Sequence, residues 1–78
     1  MDNPKVYADF QNMDKQGRLR LICNGTRADL EKLHVSLAGG IRLLLSDGEL
    51  EVEATVRWSD DERIWVGEYD EHSVRYVQ

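Results

Sequence analysis

A small, mainly β barrel of five to six strands with one short α-helix is the fold this sequence predicts. Three observations predict it. Apolar residues recur with period two along most of the chain, as they do on half-buried strands. Turn-forming pairs such as Gly39-Gly40 and Asp47-Gly48 cut those stretches into short segments. Seventy-eight residues make a single domain with a thin core. Closing the sheet removes edges that so small a chain could not easily hide.

The elements follow in order. Val6, Ala8 and Phe10 alternate with Tyr7, Asp9 and Gln11, which predicts a first strand over residues 5–12. Met13-Asp14-Lys15-Gln16-Gly17 reads as a hairpin loop ending in glycine. Leu19, Leu21 and Cys23 alternate with Arg18, Arg20 and Ile22, a second strand. Asn24-Gly25 breaks it, since both residues tolerate positive φ. Thr26, with Asp29 three positions on, looks like a helix cap, and the helix is expected over residues 27–33. Leu30 and Leu33 would plug one end of the sheet.

Val35 and Leu37 suggest a short extended piece, and Ala38-Gly39-Gly40 a turn. Ile41, Leu43 and Leu45 mark a third strand, ended by a turn at Ser46-Asp47-Gly48-Glu49. The fourth strand is the clearest. Leu50, Val52, Ala54, Val56 and Trp58 face one way, and Glu51, Glu53, Thr55, Arg57 and Ser59 the other. After the Asp60-Asp61-Glu62 turn, residues 63–69 form a fifth strand that is bulky on both faces. Residues 70–73 read as a short 3₁₀-like turn, and residues 74–77 as a last strand.

Composition narrows the function. Ten basic against fifteen acidic residues leave a net charge of −5, opposed to the field of a phosphate backbone. That charge favours a soluble monomer. One cysteine, Cys23, permits no internal disulfide and fits a reducing compartment. The start Met1-Asp2-Asn3-Pro4-Lys5 has no basic segment followed by an apolar run, and no apolar stretch approaches the roughly 20 residues of a membrane span. The expected location is the cytoplasm, with no membrane contact.

From Val35 onward, the order of elements resembles the small SH3-like barrels, in which a 3₁₀ turn commonly separates the last two strands. Most of the chain is similar to short bacterial proteins of unknown function. The shared residues are Val6-Tyr7-Ala8-Asp9-Phe10, Arg18-Leu19-Arg20-Leu21, Gly25-Thr26, Asp29-Leu30 and Trp65-Val66. The resemblance implies a fold and carries no activity. No paired tyrosines precede an acidic loop, so the chain lacks the acidic-plus-aromatic constellation with which signalling SH3 domains grip proline-rich peptides.

No catalytic, cofactor or metal constellation emerges. His34 and His72 have no cysteine at ligand spacing and read as surface residues. Cys23 lacks a positioned base and reads as a small apolar side chain. The acidic turns lack the alternating oxygen ligands and glycine of a calcium loop. Gly39-Gly40 is not a phosphate loop. An enzyme is therefore not expected.

Two features point to contact with another molecule. Arg18, Arg20, Arg42, Arg57, Arg63 and Arg75 mostly take outward positions. Aligned, they would make a basic stripe able to hold single-stranded nucleic acid. The acid excess favours instead their pairing with Glu51, Glu53, Glu68 and Asp9. Phe10 and Trp58 are expected in the core. On the fifth strand, Trp65 and Tyr69 share one side while Ile64 and Val66 share the other, and a thin barrel cannot bury both. Trp65, Tyr69, Tyr7 and Tyr76, with Arg42, Arg57 and Arg63, are the candidate contact residues, unless Trp65 caps the barrel end. The leading expectation is a non-enzymatic binding or adaptor module with a protein partner. Single-stranded nucleic-acid binding is the alternative, and an accessory subunit of a larger assembly is a third possibility.

Overall fold

The computed structural model describes residues 3–77. Met1 and Asp2, the start of the stretch read for a leader, lie outside them. Among the described residues six strands form one sheet: β1 (Lys5–Tyr7), β2 (Leu19–Arg20), β3 (Arg42–Ser46), β4 (Leu50–Ser59), β5 (Ile64–Glu68) and β6 (Arg75–Tyr76). Their order is β1-β3-β4-β5-β2, with β6 beside the first residues of β4. Among these described strands only β1 and β3 pair in parallel. One helix, α1 (Asn24–Lys32), follows β2, and a 3₁₀ turn, Glu71–Ser73, separates β5 from β6.

Chain length forces this sheet to curl. β1 lies at one edge, yet Met13 bridges Leu19 of β2 at the other. Laid flat, the five strand-to-strand gaps between them would span about 24 Å. Tyr7 and Met13 are six residues apart, at most about 21 Å when fully extended. The path is shorter still, because Asp9 turns it: the Asn12 N–H donates to the Asp9 carbonyl at 3.0 Å and the Gln11 N–H to the Asp9 carboxylate at 2.9 Å. The sheet therefore bends into a half-barrel, mainly β in character and compatible with a small SH3-like barrel. The same turn ends β1 at Tyr7, so the strand expected over residues 5–12 is far shorter.

The concave face holds the core. Val6, Leu19, Leu43, Leu45, Val52, Ala54 and Val56 are buried there with Ala8, Phe10 and Leu21. Gly67 of β5 pairs with both Val56 and Leu19, and a Cβ on it would stand 2.7 Å from Leu45 Cδ1. Its missing side chain is what allows the leucine to fill the centre.

The helix begins a turn earlier than expected, with Cys23 rather than Thr26 at its N-cap. Asn24 and Gly25 are its first residues, and neither has positive φ. Gly25 is needed for another reason: a Cβ there would lie 2.7 Å from the Tyr7 ring. That close approach brings two helix side chains to the free edge of β1. Thr26, fully buried, donates its hydroxyl to the Tyr7 carbonyl at 2.6 Å. The Tyr7 N–H donates to the Asp29 carboxylate at 2.8 Å. Residues three apart share a helix face, so together they satisfy both backbone groups of Tyr7. The Thr26 proton is committed to that carbonyl, which makes Cys23 the donor in the 2.9 Å contact between its Sγ and Thr26 Oγ1.

α1 ends in a Schellman motif. The Val35 N–H reaches the Leu30 carbonyl at 2.9 Å and the His34 N–H the Glu31 carbonyl at 3.1 Å. His34 consequently takes φ 55°, a left-handed conformation that glycine adopts more cheaply. Val35 and Leu37 form no strand, yet both pack partly buried against the core.

Candidate functional site

β4 spans ten residues and β3 only five. β3 pairs with β4 as far as Thr55, and Ile41 and Gly40 continue only to Val56. Beyond Val56, β4 is flanked by β5 alone. Trp58 has the facing that its alternation predicts, but it stands past the end of the core and is 46% exposed. The expectation of a buried Trp58 is thereby overturned. Phe10 is buried as expected, at 9%. Trp58 sits opposite Trp65, and their rings meet edge to face with centroids 5.0 Å apart at 71°. Such a pair contributes about 0.5–1.5 kcal/mol beyond the area it buries. Trp65 itself is half-buried and packs on the core. It is a platform that fixes Trp58, and Trp58 is the more exposed of the two.

Both faces of β5 carry burial, and the side of Trp65 and Tyr69 is the partly exposed one that the sequence reading expects. Val66 is fully buried on the face that also carries Arg57 and Arg20, its partners in the register. Tyr69 is half-buried against the core and its hydroxyl donates to Met13 Sδ at 3.7 Å. Burial pushes the Tyr69 phenol above its ordinary value, and Glu71 adds to the shift.

The convex face is a charge ladder. Arg42 pairs with Glu53 at 3.0 Å, Arg57 with Glu68 at 3.4 Å and Arg75 with Glu51 at 3.0 Å. Arg20 grips Glu62 with two hydrogen bonds, at 2.6 and 2.9 Å. Arg18 holds the buried Asp14 at 2.8 Å. The arginines thus meet Glu51, Glu53 and Glu68 as the pairing expectation has it, and the face presents alternating signs rather than a basic stripe. Asp9 is different, since it accepts from the Gln11 N–H instead. Arg63 is exposed in the β4–β5 turn at φ 57°, its N–H donating to the Ser59 carbonyl at 2.7 Å.

The remaining sequence-predicted contact residues do not converge. Tyr76 is 74% exposed opposite Leu50. Leu50 is eight residues along β4 from Trp58, about 27 Å. Tyr7 lies beneath the helix at the β1 edge. Tyr69 and Arg42 line a convex-face groove of about 640 Å³, together with Glu53, Thr55, Glu68, Asp70, Ser73 and Arg75. Trp58 is the exposed aromatic that sequence reasoning missed. The available signal was strand length: β4 reads longer than β3, so one end of it has to outrun its neighbour.

Asp14 organises the β2 hairpin. Burial raises its pKa, but the Arg18 and Gln16 N–H groups and the Arg18 guanidinium outweigh that and hold it below the ordinary carboxylate value. Among the described residues, every buried side-chain nitrogen or oxygen has a partner. No helix among them is long and apolar enough to cross a membrane. No protein-family model, curated protein or solved structure matches the chain.

Proposed function

We propose that this chain is a non-enzymatic binding module, acting in the cytoplasm as a monomer, that contacts a protein partner through the face carrying Trp58 and Trp65. One observation carries the reading: a half-exposed tryptophan held edge to face on a second, core-anchored one. A large aromatic whose orientation is already set loses little conformational entropy on binding, the property that makes tryptophan a frequent anchor in interfaces. The pairing of Arg18, Arg20, Arg42, Arg57 and Arg75 with carboxylates supports a protein over a nucleic acid, because phosphate contacts require uncommitted cations.

Affinity capture with wild type and Trp58→Ala tests the reading, with circular dichroism as the check on folding. A protein recovered by wild type and lost with folded Trp58→Ala supports it. Equal recovery by both overturns it, as does oligonucleotide binding that falls steeply with salt.

A further inference from the structure

The outer edge of β6 offers backbone groups that the sheet does not use. The Val77 N–H donates to the Glu49 carbonyl at 2.8 Å, so Leu50 and Tyr76 form a non-hydrogen-bonded pair of the antiparallel β4–β6 ladder. The Tyr76 N–H and C=O therefore point away from β4. Val74, two residues earlier and also extended, shares that direction. Among the described residues no strand lies beyond β6, and neither Val74 nor Tyr76 makes a backbone hydrogen bond on this side. Two donors and two acceptors thus stand free at the spacing of a ladder.

A groove adjoins this edge. Glu51 pairs with β3 on one side and β6 on the other, and Thr55 pairs likewise with β3 and β5. β5 and β6 therefore share one side of β4, and the β2 hairpin beyond β5 stands on the outer side of β6. Between the hairpin and Val74 lies a groove of about 450 Å³, lined by Met13, Gln16, Gly17, Tyr69, Glu71 and Val74. Met13 is 41% exposed, and Tyr69 and Val74 are only partly buried. Arg75 takes the convex face with Glu51, so Val74 and Tyr76 take the opposite one.

We propose that β6 accepts an extended segment of another protein as an added strand, with apolar residues directly opposite Val74 and Tyr76. Free N–H and C=O groups in ladder spacing match a peptide backbone and have no counterpart in a phosphate backbone. Apolar side chains at those two positions face the groove side and cover Met13, Tyr69 and Val74. Glu71 disfavours carboxylates there. A second copy of the chain fits less well. Pairing two β6 strands through Val74 and Tyr76 sets the two Arg75 side chains against one another, and each copy carries a charge of −5. The site lies at the other end of β4 from Trp58 and does not depend on the reading given to that residue.

The test uses the full chain and a blocked peptide, Lys-Val-Thr-Val-Thr-Val-Lys, followed by amide NMR and hydrogen exchange. The Val74 and Tyr76 amides are expected to shift and to exchange more slowly with peptide present. Replacing the valines by serine should weaken binding about tenfold or more. N-methylating the valines, which removes the donors facing β6, should abolish it. Tyr76→Pro removes an edge N–H that the β4 ladder does not use and should weaken binding about tenfold or more, whereas Tyr76→Thr keeps that donor and should change it less than about threefold. The proposal is overturned if the peptide leaves the two amides unmoved, if the N-methylated peptide binds as well, or if folded Tyr76→Pro binds like wild type. Concentration-dependent protection of the same amides without peptide would assign the edge to a second copy and overturn it too. Should Tyr76→Pro fail to fold, the N-methylated peptide decides on the wild-type chain.

Discussion

Thr26 distinguishes two accounts of how the helix is attached. If it were the helix cap, aspartate at position 26 would serve as well as threonine, since both are good N-cap residues. In the structure Thr26 lies inside the first turn, fully buried, and donates to the Tyr7 carbonyl while accepting from Cys23. A donor is therefore required. Thr26→Val keeps the shape and removes the hydroxyl, leaving the Tyr7 carbonyl and the Cys23 thiol without partners. One unsatisfied buried group costs about 1–3 kcal/mol. In a domain of this size each 1 kcal/mol lowers Tm by roughly 4–8 °C, so at about 2 kcal/mol, the middle of that range, Thr26→Val should melt about 8–16 °C below wild type. Thr26→Asp should be worse, because it places an acceptor-only carboxylate against a carbonyl with no donor to compensate. Thr26→Ser keeps the donor and should cost about 1 kcal/mol or less. Urea unfolding followed by tryptophan fluorescence measures all three. A Thr26→Asp variant within about 0.5 kcal/mol of wild type would refute the clamp and restore the cap.

Other outcomes follow from particular contacts. Gly67→Ala should destabilise by about 1–3 kcal/mol through overpacking against Leu45, and Leu45→Val should recover part of that loss. An additive double-mutant cycle would remove the contact as the cause. His34→Gly should raise stability by about 0.5–1 kcal/mol, since glycine relieves the left-handed cost at the Schellman position, less its greater freedom when unfolded. A thermal melt checks the sign. Asp14, Asp47 and Glu62 all have pKa values held below their ordinary range: Asp14 by the N–H groups and guanidinium that outweigh its burial, Asp47 by the Leu50 and Glu49 N–H groups, and Glu62 by Arg20. A folded value below the unfolded one gives stability that is present at neutral pH. It is lost as pH falls below about 4, the ordinary carboxylate value, towards the folded values. Urea midpoints between neutral and acid pH should show that fall, and Asp14→Asn should reduce its size.

The sequence alone determined the class of this fold and most of its elements. The period-two run from Leu50 became β4 with both bounds as read, because strict alternation over so many positions admits one backbone. Asp47-Gly48 turned where expected, with Gly48 at φ 98° and the Asp47 carboxylate taking the Glu49 and Leu50 N–H groups, since that chemistry is local. The pairing of arginines with Glu51, Glu53 and Glu68 was also legible, from charge balance and facing. Tertiary structure decided what lies between elements. Asp9 ended β1 because the chain had to cross to the far edge of a curled sheet. Thr26, Gly25 and Asp29 read locally as a cap and a breaker, yet their roles depend on Tyr7, which lies at least eighteen residues away. Trp58 followed the correct period onto the correct face and still emerged exposed. Alternation specifies which way a side chain points, whereas burial depends on whether another strand extends far enough to cover it.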